Sequence, residues 1–71
     1  MKRSISIDGH RTSISLEEPF WQALGEIARL KGSSVAALIG EIDHDRAGSN
    51  LSAAIRVYVL AWYRERAARA G

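Results

Sequence analysis

Few side chains in this 71-residue chain can do chemistry: His10 close to Asp8, His44 between Asp43 and Asp45, and serines spread over strand-like and helix-capping segments. The His and Asp groups lack regular metal-ligand spacing, and with no cysteine to complete a thiolate site no metal is expected. No serine stands in a Gly-x-Ser-x-Gly elbow, and so short a chain scarcely encloses a pocket; neither enzymatic activity nor a cofactor is expected. Hydrogen bonding and charge remain. From His10 to Leu16 the residues alternate in character, so an extended strand carries Arg11, Ser13 and Ser15 on one face and Thr12, Ile14 and Leu16 on the other. Such a polar, hydrogen-bonding face suits base edges in a DNA major groove, and Arg11 is the one member able to grip guanine with two bonds.

That strand needs a partner. A monomer of this size buries only about 60% of its unfolded surface, so oligomerisation is the expected remedy, and the obvious arrangement pairs the strand with its copy in a second molecule. A second possibility lies upstream. Ser4-Ile5-Ser6-Ile7 nearly repeats Ser13-Ile14-Ser15-Leu16, and Asp8-Gly9 between them is a strong hairpin signal that sets Ile7 opposite His10 and Ile5 opposite Thr12. This hairpin competes with, or adds to, pairing between chains.

Net charge is +2 and unevenly placed. Residues 1–16 sum to +2 through Lys2, Arg3 and Arg11 against Asp8, residues 47–71 sum to +3, and residues 17–46 sum to −3. The strand therefore lies at a basic end, as a phosphate-facing element should. Apolar residues make up 46%, which argues for a folded domain. With no signal-peptide pattern and no apolar run of about 20 residues, a cytoplasmic protein without a membrane partner is expected.

Three helices should follow. The first starts at Pro19, with Glu17 and Glu18 at the positive end of its dipole, runs through Phe20, Leu24, Ile27 and Ala28 with Trp21 beside them, and stops at Lys31-Gly32. A second opens after Ser34 as N-cap, buries Val35, Leu38, Ile39 and Ile42, and ends near His44 to Arg46. After an Ala47-Gly48-Ser49 connector, Asn50 or Ser52 caps a third helix whose apolar stripe is Leu51, Ile55, Tyr58, Val59 and Trp62; the tail from Arg64 to Gly71 is expected to fray. Ile14, Leu16, Phe20, Leu24, Ile27, Val35, Leu38, Ile39 and Ile42 form the expected core.

Strand, helix, Gly-x-Ser turn and helix, in that order over Arg11 to Asp45, resemble the ribbon-helix-helix family of bacterial DNA-binding dimers, the Arc and MetJ type. The segment from Gly9-His10-Arg11-Thr12-Ser13 through Phe20-Trp21 to Asn50-Leu51-Ser52-Ala53-Ala54-Ile55-Arg56 is similar to a subgroup of short bacterial members. The resemblance implies a mostly α fold with one short strand: an intertwined homodimer with a two-stranded antiparallel ribbon, to which this chain adds a C-terminal helix and a possible N-terminal strand. It also implies that Arg11, Ser13 and Ser15 reach base edges, while the second helix start, with Ser33, Ser34 and Val35, holds a phosphate, as an exposed helix N-terminus can. Lys2 and Arg3 in the basic N-terminal arm are further phosphate candidates. Thr12 stands where the family usually has an apolar residue, and an N-terminal strand beside each ribbon strand makes a four-stranded sheet to set against a groove about 12 Å wide.

The expected organisation is an arm or extra strand over residues 1–9, the ribbon-helix-helix core over 10–46, and an additional helix with tail over 47–71. The expected function is sequence-specific binding of double-stranded DNA by a small dimeric transcriptional regulator. Two alternatives stand beside it: an antitoxin that grips a toxin through its C-terminal helix, and a dimeric interaction module without DNA binding.

Overall fold

The computed structural model describes residues 2–7, 9–45 and 50–70. The chain runs β1 (Lys2–Ile7), β2 (His10–Ser15), α1 (Glu18–Leu30), α2 (Val35–Asp45) and α3 (Leu51–Ala70). β1 and β2 form one antiparallel hairpin, with Ile7 opposite His10, Ile5 opposite Thr12 and Lys2 opposite Ser15. Gly9 has φ +81°, the left-handed conformation that so short a loop demands. The hairpin offered by the repeat and the Asp-Gly pair is thus formed within one chain, and the described sheet ends at β2.

Alternation divides the hairpin into two faces. Ile14 and Ile7 are buried and Ile5 half-buried on the inner face, while Ser4, Ser6, Arg11, Ser13 and Ser15 are exposed on the outer one. Leu16, just past β2, is buried as well. The inner face lies on the helices: β1 packs against α2, and β2 against α3.

α1 begins one residue before Pro19, which occupies its first turn. Glu17, the residue at its cap, is extended (φ −63°, ψ 147°) but its side chain does not cap. Its carboxylate instead accepts two bonds from Arg56 of α3, from Nε at 3.0 Å and Nη2 at 3.3 Å. This hydrogen-bonded guanidinium holds the Glu17 carboxyl below its ordinary value of 4.5. At the far end of α1, the Lys31 ammonium donates to the Tyr58 hydroxyl at 3.2 Å, so α3 is tied to both ends of α1.

The core is hydrocarbon and indole: Ile7, Ile14, Leu16, Trp21, Leu24, Ile27, Ala28, Leu38, Ile39, Ile42, Ile55 and Val59 are buried. Two expected members, Phe20 and Val35, are only half-buried, whereas Trp21, expected beside the stripe, is inside it. The cause is β1. Its inward-facing Arg3 lays a guanidinium 5.0 Å from the Trp21 ring centroid and faces Glu18 at 3.6 Å, closing a roof over the indole that α1's own periodicity cannot reveal. Phe20 turns instead towards Arg56, 5.9 Å from its ring.

α3 starts with the Asn50 cap, whose Oδ1 accepts from the Ala53 N–H at 3.2 Å. It buries Ile55 and Val59, half-buries Leu51, Tyr58, Trp62 and Tyr63, and leaves Val57 and Leu60 in solvent. The expected frayed tail is helix through Ala70. Two pairs one turn apart support it: Arg69 meets Glu65 at 2.6 Å, and Arg66 lies 4.7 Å from the Trp62 ring. Arg46 and the Ala47-Gly48-Ser49 connector lie outside the described residues.

Two outcomes follow from this packing. Ile55→Ala opens a cavity and costs about 2–5 kcal/mol, while Val57→Ala, at 67% exposed, stays within about 0.5 kcal/mol; urea denaturation of both variants checks this. Because the native pKa of Glu17 is lowered, its ionised form contributes stability that is complete above its ordinary 4.5 and disappears as pH falls through the lowered value. The stability gap between wild type and Glu17→Gln, followed by denaturation midpoint against pH, should therefore close on acidification.

Candidate nucleic-acid interface

The outer face of β2 presents Arg11, Ser13 and Ser15, all exposed. Their backbone groups have a fixed direction too. Two residues separate the paired Ile7 and His10, and in such a loop the flanking pair exchanges both of its hydrogen bonds. Alternation then directs the N–H and C=O groups of His10, Thr12 and Ile14 towards β1, and those of Arg11, Ser13 and Ser15 towards the opposite edge. The residues with outward side chains thus offer backbone groups to the edge of the described sheet. A groove of about 440 Å³ runs beside β2, between Thr12, Ser13 and Ile14 and the start of α3 at Asn50, Leu51 and Ser52.

The second candidate element is the start of α2. Gly32, with φ +68°, ends α1 by turning into the left-handed region; its N–H reaches Arg29 O at 3.1 Å and the Ser33 N–H reaches Ala28 O at 2.8 Å. The chain reverses there and α2 begins. Ser34 is its N-cap, with Oγ accepting from the Ala37 N–H at 3.0 Å. The N–H groups of Val35 and Ala36 have no acceptor within the helix, so the exposed Ser34 stands beside backbone donors and the positive end of a dipole.

The two basic-arm candidates part company. Lys2 lies opposite Ser15 on the outer face and is exposed, whereas Arg3 lies opposite Ile14 on the inner face, over Trp21 and beside Glu18. Strand parity separates them. The same parity brings Ser4 and Ser6 onto the outer face opposite Ser13 and Arg11, two residues not singled out from the sequence although the Ser-Ile-Ser-Ile repeat carried the signal. Among the described residues, no three His, Cys, Asp or Glu side chains gather as metal ligands, and no helix is long and apolar enough to cross a membrane.

A family model described as a ribbon-helix-helix domain matches residues 1–63, from β1 into α3. The chain belongs to the ribbon-helix-helix domain family. No curated protein and no solved structure matches it. Ribbon-helix-helix proteins are generally dimers that bind DNA as regulators, and the domain is typically not enzymatic.

Proposed function

We propose that this ribbon-helix-helix protein is a homodimeric, sequence-specific DNA-binding regulator of transcription, acting in the cytoplasm. The observation that carries the reading is the outward, polar face of β2, where one guanidinium and two hydroxyls stand on the strand whose far edge ends the described sheet. In the dimer, β2 pairs antiparallel with its copy. Arg11, Ser13 and Ser15 supply the backbone donors and acceptors at that edge, and the symmetric register that uses all three is centred on Ser13, with Arg11 of each protomer opposite Ser15 of the other. The two Arg11 residues then stand about 13 Å apart along the ribbon, four residues at about 3.3 Å each, and address a pseudo-palindromic site.

Arg11, Ser13 and Ser15 face base edges in the major groove, Arg11, the longest of the three, carrying most of the discrimination and the two serines bonding through water. Ser33, Ser34 and Val35 hold a phosphate at the start of α2, and Lys2 holds another from the outer face. Arg3, although exposed, lies on the other face of the hairpin and roofs Trp21.

A second reading is favoured by the exposed Val57 and Leu60 on α3: the same dimer acts as an antitoxin, with α3 gripping a toxin. A toxin gene adjoining this one favours that reading.

Two experiments test the main proposal. Arg11→Ala should weaken operator binding by about 1–3 kcal/mol per lost guanine contact and relax sequence preference while the dimer persists; unchanged affinity in a mobility-shift assay at fixed salt rules it out. The chain has no native cysteine, so Ser13→Cys should form an intermolecular disulfide on mild oxidation, because the two-fold register brings this residue opposite itself with Cα atoms about 5.5 Å apart. Ser6→Cys, on the other strand, should not.

A further inference from the structure

β1 has an outer face of its own. Lys2, Ser4 and Ser6 are exposed on it and lie opposite Ser15, Ser13 and Arg11, so the whole outer surface of the hairpin is a grid of hydroxyls and two cations. Neither a carboxylate nor an apolar side chain interrupts that grid, although the described chain carries seven carboxylates elsewhere. The other cation of β1, Arg3, is turned to the opposite face.

We infer that β1 is a second DNA-contacting strand, and that Ser4 and Ser6, with Lys2, bind the phosphates along the walls of the groove. The inference rests on the dimer proposed above. Pairing of the two β2 strands gives a four-stranded order with β1 at both margins, and three strand spacings of about 4.8 Å set the two β1 backbones about 14 Å apart. A major groove is about 12 Å wide, so the β2 pair sits over its opening and each β1 lies above a wall, where the phosphates run. Small hydroxyls and a lysine are the groups that meet phosphate oxygens there, positioning the protein without reading sequence. The added strand thus rests on the rims that a bare ribbon leaves uncovered.

Substitutions of opposite sign at Ser4 test this. Mobility-shift titrations over a range of salt, on operator and on random DNA, compare wild type with Ser4→Lys, Ser4→Asp and a control, Gln22→Lys, on the exposed side of α1. Ser4→Lys should tighten binding to both DNAs and steepen the log K against log salt slope by about 1.8, or 0.9 for each of two protomers. Ser4→Asp should weaken both by about tenfold, leaving the ratio between operator and random DNA unchanged. Impaired folding cannot produce the gain expected of the lysine variant. If Ser4→Lys behaves as Gln22→Lys does while Arg11→Ala still relaxes sequence preference, the role of β1 is overturned and the base-reading proposal survives. If wild type binds no DNA at all, both fall together.

Discussion

The loop between Ile7 and His10 holds two residues, and that number governs the chemistry of the sheet. A hairpin closed this tightly has one phase of hydrogen bonding, so each residue of β2 is committed both to a face and to an edge. Thr12 and Ile14 turn their side chains inward and their backbone groups towards β1. Arg11, Ser13 and Ser15 do the reverse, turning side chains to solvent and backbone to the sheet's margin. The groups suited to recognition and those suited to pairing therefore belong to the same three residues, and Gly9 at φ +81° is the local conformation that makes this possible.

Everything beneath the hairpin keeps that surface in place. Ile7, Ile14 and Leu16 fasten it to Leu24, Ile27, Leu38 and Ile39, and α3 closes the other side with Ile55 and Val59. Polar contacts frame this core. Arg56 spans from α3 to Glu17 at the start of α1, Lys31 reaches Tyr58 from its end, and Arg3 covers Trp21. α3 thereby acts as a brace for the turn between β2 and α1 as well as a source of apolar surface.

Features that depend on neighbours in sequence were legible there. The faces of β2, the hairpin register, the Gly32 stop and the Ser34 cap all follow from local alternation, positive φ or a side chain reaching three residues on, and the cap of α3 was narrowed to Asn50 or Ser52. Features that depend on distant contacts were not. Phe20 and Trp21 are adjacent on α1, and helical spacing alone cannot rank them; Arg3, brought over by the hairpin, buries the tryptophan. Residues 64–70 lie beyond the apolar stripe that ends at Trp62 and read as a fraying tail, yet the Glu65–Arg69 and Trp62–Arg66 pairs lie along a continuous helix. Of the candidate interface, the Arg11 face and the α2 start could be placed from alternation and capping, whereas the division of Lys2 from Arg3 needed the register of β1.

The interior of the described chain contains no buried polar or charged residue. Its charged side chains lie at the surface, although the Glu18 Oε2 that faces Arg3 is itself shut off from solvent, and the Debye length falls to about 8 Å at physiological ionic strength. Added electrolyte therefore damps whatever the outer sheet attracts and hardly touches the hydrocarbon beneath it. Attraction at the outer sheet and cohesion of the domain thus rest on separate forces, and a rise in salt weakens the first while the hydrocarbon packing stays whole.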